Sequence, residues 1–241
     1  MIRDVDALSS WRRPLVNVSA IFPRDRLPSI GVDDVAVGRL AADHFLARWL
    51  RHFAFIGPPH QLYSVERRQS FCEALSEGGH TVVCYESLDG CEFDPHGHRW
   101  ELEDVRHWLR KLPKPVGIFT PNDLWGVQVI LGCRSARLRV PEDVAVLGVD
   151  DDDLYCELTS SIQVPAERIG AEAVALLERL LAGEKRPHEP TLLPPLGVNA
   201  RRSTEVLAID DEYVTAAIRF IRENADRPLR VADVVRHVAL A

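Results

Sequence analysis

The sequence predicts an α/β protein with a parallel sheet covered by helices on both faces. Three observations carry this. Short β-branched apolar runs alternate with segments of helical period from Leu15 to Val149. The runs are apolar throughout rather than every second residue, as in strands buried on both faces. Polar residues gather just after the strands, where an open α/β sheet places its ligand groups. The clearest case is Val144–Leu154, VAVLGVDDDDL, a buried-type strand followed by four aspartates.

In chain order, residues 1–13 are polar and mixed, a frayed start. Leu15–Val18 reads as a short strand, Phe22–Ser29 as a loop, and Ser29–Val32 as a second strand. A helix follows with Val37, Leu40, Ala41, Phe45 and Trp49 on one face, capped by Asp33 or Asp34. Phe53–Ile56 is a strand stopped by Gly57-Pro58-Pro59. A helix over Val65–Glu77 ends at Gly78-Gly79, and Thr81–Tyr85 is a strand. After a loop over Glu86–Gly97 comes a helix with Leu102, Val105, Leu109 and Leu112 inward, closed by Pro113. Val116–Phe119 is a strand ending at Asn122-Asp123, and Leu124, Val127 and Leu131 line the next helix. The strand at 144–149 follows. Pro165 opens a helix with Ile169, Ala173, Leu176, Leu177 and Leu180 inward, ended by Gly183. Thr191–Val198, interrupted by Pro, is an edge strand or crossing segment. Residues 201–210 read as a linker. Asp210-Asp211 cap a helix, and Val231, Val234, Val235 and Val238 begin another.

With 241 residues, 46% of them hydrophobic, the chain can bury a sizeable core. The net charge of −7 argues against coating nucleic acid by bulk electrostatics. No apolar run reaches the ~20 residues of a membrane span, and Met1–Asp4 lacks a signal-peptide core, so a cytoplasmic location is expected. Five cysteines with irregular spacing read as reduced thiols.

Asp33-Asp34, Asn122-Asp123 and Asp150-Asp151 stand at strand ends, and Arg67-Arg68 begin a helix. Carboxylates, an amide and a guanidinium meeting in one crevice suit a hydroxyl-rich ligand, because each hydroxyl both donates and accepts. Asp33, Arg67, Asn122 and Asp150 are the candidate ligand-binding residues. Capping alone also explains Asp33 and Asn122, and both readings stay open. The four aspartates of 150–153 cannot all be buried anions; one or two face the cleft and the rest meet water. Cys91, Asp94, His96 and His98 cluster in a polar loop, weak ground for a metal site, and no cofactor or metal is expected.

At these residues the sequence resembles LacI–GalR-type regulators, which share a two-lobed fold with periplasmic sugar-binding proteins. The matching segments are Gly31–Asp34, Phe53–Gly57, Arg67 with Ser70-Phe71, Asn122–Gly126, Val140–Val144, Gly148–Asp151, Gln163 and Ile169-Gly170. Leu193–Val198, Arg201–Thr204 and the helix at 211–225 extend the likeness to the xylose operon regulator (XylR-type) family. The resemblance implies a type I periplasmic-binding-protein-like sensor: residues 1–52 a remnant of lobe 1, 53–155 a nearly complete lobe 2, 156–200 the return to lobe 1 with a crossing segment. Residues 211–241 would start an AraC-type helix-turn-helix domain without its recognition helix. It further implies a sugar effector, a pentose, with operator DNA bound by the full-length protein, and a homodimer. Roughly a hundred residues, by domain size, would precede the segment matching Leu15; the chain therefore reads as a fragment, or a short gene product, of such a regulator.

Two other functions compete. A strand ending in Asp-Asp-Asp suggests a magnesium-dependent phosphotransferase of the haloacid-dehalogenase type. That class wants Asp-x-Asp followed by a hydroxyl residue near the chain start, whereas Tyr155 follows here. The third reading is an interaction or dimerisation fragment that binds no ligand, with an open sheet edge.

Overall fold

A computed structural model describes residues 13–21, 23–24, 26–85, 102–155, 158–205, 211–224 and 228–238. The order of elements is β1 (Ile30–Val32), α1 (Asp34–Leu46), β2 (His52–Phe55), α2 (Leu62–Glu77), β3 (Val82–Cys84), α3 (Leu102–Lys111), β4 (Val116–Phe119) and α4 (Asp123–Ala136). Then come β5 (Val144–Asp150), β6 (Ser160–Gln163), α5 (Ala166–Leu181), β7 (Thr191–Leu193), β8 (Gly197–Asn199), a 3₁₀ turn at Arg202–Thr204, α6 (Glu212–Glu223) and α7 (Val231–Val238).

Six strands form one sheet in the order β3-β2-β4-β5-β6-β8, parallel except for antiparallel β8. The two-residue period of a strand divides its core. Phe53, Phe55, Phe119, Leu147, Val149 and Ile162 face α1 and α2. Ala54, Ile56, Val116, Ile118, Val144 and Val146 face α3 and α4. This is the α/β, parallel-dominated architecture expected. The second sheet is a parallel pair, β1 with β7, and packs with α5 around Ile30, Ala173 and Leu176.

Within residues 1–52, expected as the lobe 1 remnant, α1 packs on the six-stranded unit. Its Val37, Ala41 and Phe45 are fully buried against Phe53 and Phe71. Gly38 makes this possible: a Cβ there would lie 2.9 Å from the Phe71 nitrogen, so only glycine lets the α1 and α2 backbones approach so closely. Likewise β6 and β8, within the 156–200 return segment, join the larger sheet. The strand β6 was not anticipated. Its Ser160 and Ser161 are buried polar residues, which mask the apolar signal of a strand.

Residues 201–204, within the expected linker, are fastened to the same unit. Ser203 Oγ donates to the Val146 carbonyl at 2.6 Å and accepts from the Ser160 amide at 2.7 Å. Arg48 Nε donates to the Thr204 carbonyl at 2.6 Å, and His44 Nε2 lies 3.0 Å from Thr204 Oγ1. Arg48 Nη1, 3.1 Å away, donates to His44 Nδ1. Burial first and the Arg48 charge second push the His44 pKa down to about 3. Beyond this point α6 packs on α7, and Phe220 stacks on His237 at 4.4 Å. Asp211 caps α6 through the Tyr213 and Val214 amides. The Glu86–Gly97 loop, the cluster of Cys91, Asp94, His96 and His98, and Asp210 lie outside the described residues. No described helix is long and apolar enough to cross a membrane.

Candidate functional site

A cavity of about 550 Å³ opens between the carboxyl ends of the larger sheet and the β1–α5 unit. Its size is ordinary for a small-molecule site. The larger unit contributes Tyr63 and Arg67 on the first turns of α2, Asn122 before α4, and Asp150 at the end of β5, while Asn17, Ser19, Arg24 and Ser29 line it from the segment before β1. Apolar side chain and backbone from Gly31, Val32, Ile169 and Gly170 complete the opposite wall.

Arg67 is only 4% exposed. Its Nε donates to Asp34 Oδ1 at 2.6 Å, and its Nη1 donates to the Pro121 carbonyl and lies 3.9 Å from Asp150 Oδ1. Its guanidinium also lies 5.3 Å from the Tyr63 ring centroid, a cation–π contact between residues four apart on one helix. Arg24 bonds Asp34 from the other side and reaches Glu66. The guanidinium plane is thus held before any ligand arrives, and none of the bonds among the described residues uses its Nη2.

Asp150 has φ 104° and Asp151 φ 58°, left-handed conformations that side chains other than glycine rarely adopt. This turn sends the two carboxylates apart. Asp150 enters the cavity, where the surrounding protein strips hydration and raises its pKa; Arg67 pulls it back down, and Asp34 and Asp152 push it up. Asp151 is held by Asn199 and by Arg201 at 2.8 Å. Asp152 and Asp153 are exposed. One of the four therefore faces the cleft. The cations that meet Asp150 and Asp151 are guanidinium groups, unlike the shared carboxylate cradle a magnesium phosphotransferase needs.

Asn122 caps α4, its Oδ1 accepting the Trp125 amide at 3.1 Å, and also lines the cavity. Capping and lining are compatible here, because the cap occupies the oxygen and leaves the amide nitrogen as a donor. Asp33 is different. Its carboxylate accepts the Ala36 amide at 3.0 Å to cap α1, and it is absent from the cavity wall. Its neighbour Asp34, wholly buried and likewise absent from the cavity wall, anchors Arg67. Tyr63 was also missed, because the expected helix began at Val65 and the observed one begins at Leu62. Burial raises the Tyr63 pKa to about 12, with Arg67 opposing, so its hydroxyl stays protonated. Arg24 carried no sequence signal; it lies in a loop distant from its partners.

Residues 42–204 match the periplasmic binding protein-like domain, and the chain belongs to that family. The xylose operon regulatory protein of Haemophilus influenzae is 31% identical over 220 residues, covering 88% of this chain and 56% of that protein. The namesake from Escherichia coli K12 is 29% identical over 219 residues, covering 88% and 55%. Among solved structures, a xylose-binding transcription activator superposes with a TM-score of 0.74 at 28% identity, covering 98% of this chain and 64% of that one. The chain spans about half the length of these curated relatives.

Proposed function

We propose that the chain is the effector-binding part of a sugar-responsive, cytoplasmic transcription regulator, with a pentose as effector and no chemical step. The observation that carries this is one cavity in which an anchored guanidinium (Arg67), a carboxylate (Asp150) and an amide donor (Asn122) meet beside an apolar wall. Such a set satisfies hydroxyls in both senses while the wall packs the sugar's C–H faces. The relatives named for xylose support the pentose. The packed pair α6–α7 is read as the lead into an AraC-type DNA-binding unit, through which the whole protein, as a homodimer, would hold operator DNA.

Calorimetric titration with D-xylose, L-arabinose, D-ribose and D-glucose tests it. Heat is expected with a pentose, with affinity falling at least ~10-fold in Asp150→Ala, as for loss of a hydrogen bond to a charged group. No heat with any sugar, or magnesium-dependent phosphatase turnover, would overturn the proposal.

A further inference from the structure

Beneath the Asp150–Asp151 turn lies a carboxylate that touches no ligand surface. Asp123, the first residue of α4, is 1% exposed and accepts the Asp152 amide at 3.0 Å through Oδ2. Gly148 on β5 leaves room for it; a Cβ at that position would strike the Asp123 side chain and come within 3.1 Å of its Cα. The Asp151 amide is held in parallel by Ser161 Oγ at 3.0 Å. Two successive left-handed residues other than glycine cost on the order of 1–3 kcal/mol each unless their surroundings impose the conformation. Asp123 and Ser161 supply that imposition from two different elements.

We propose that Asp123 is a positioning residue for effector binding: by accepting the Asp152 amide it holds the strained turn that aims Asp150 at the ligand. This rests on the sugar-binding reading of the cavity. Asp123 faces Asp150 and Asp151 on the turn, Asp152 beyond it, and Ser161 on β6; Asp151 in turn is paired with Arg201. Burial, with repulsion from Asp150 and Asp151, lifts its pKa to about 7 against the pull of Ser161 and the Asp152 amide.

Two measurements on the whole chain test it. In ¹H–¹⁵N spectra the Asp152 amide should titrate with a midpoint near the Asp123 value of about 7, and Asp123→Asn should abolish the titration. In pentose affinity, Asp123→Ala and Asp150→Asn should each cost about 10-fold. Combined, they should cost no more than about 3-fold beyond the worse single change, because both act through one contact. Asp123→Asn keeps an acceptor oxygen and should recover most of the affinity. Multiplicative losses in the double variant, or an Asp152 amide indifferent to pH, would overturn the inference. If no sugar binds the native chain, the reading of the cavity fails, while the amide titration still decides whether Asp123 holds the turn.

Discussion

The two sheets wall one cavity but are built differently. The six-stranded unit carries two continuous cores, one on each face, with Phe45, Phe53, Phe71 and Phe119 packed edge to face or tilted within about 5–6.5 Å. Among the described residues, the β1–β7–α5 unit has a smaller core of its own, Ile30, Ala173 and Leu176, and shares Val32 with the larger one. Arg67 and Asp150, the charged pair proposed to meet the ligand, stand on the first, and Arg24 reaches the cavity from the loop before β1. Holding a guanidinium and a carboxylate at fixed separation needs rigid support, because a misplaced buried charge costs far more than a misplaced methyl group. The thinner wall supplies shape and backbone, which tolerate small shifts.

The sharpest way to break this comparison is to open each core. Phe71→Ala should lower unfolding free energy by about 3–5 kcal/mol, and Leu176→Ala by about 2 kcal/mol, the low end for its class. Chemical denaturation followed by circular dichroism reads both; equal losses would mean the two units are equally packed.

A medium effect separates the two ends of the larger unit by pH. His44, at the Thr204 end, titrates at about 3 when folded against 6.5 when unfolded, so the unfolded chain takes the proton first. Its contribution is whole above pH 6.5 and is lost as pH falls towards about 3. Asp123, at the cavity end, is raised from 3.8 to about 7, so its contribution is whole at low pH and is lost as pH rises through about 7. The stability difference between the native chain and His44→Gln should shrink by up to about 1.4 kcal/mol per unit as pH drops below 6.5. For Asp123→Asn the native advantage should grow over the same descent. Parallel curves for the two variants would remove the contrast.

The smallest effect tests whether Asp33 acts only as a helix cap. Asp33→Ala should cost about 1 kcal/mol, the loss of a cap, and leave pentose affinity unchanged. A large loss of affinity would return Asp33 to the cavity wall.

Much of the larger unit was legible because its strands are uniformly apolar and its helices periodic: Phe53–Phe55, Val116–Phe119 and Val144–Val149 announce themselves. The positions of Asn122 and Asp150 after buried strands, and of Arg67 near the start of a helix, were legible. The helix start at Leu62 was not, because Gln61 offers no side-chain cap. Nor was β6, whose serines find partners some forty residues later at Arg201, Ser203 and Thr204.

By itself the sequence determined the strand–helix alternation and the placing of polar groups at strand ends, because periodicity and apolar runs are local properties. Tertiary structure decided which of two adjacent aspartates caps and which anchors, which unit α1 joins, and which of four aspartates enters the cavity. Those choices depend on partners distant in the chain and on two left-handed residues that only the packed surroundings can hold.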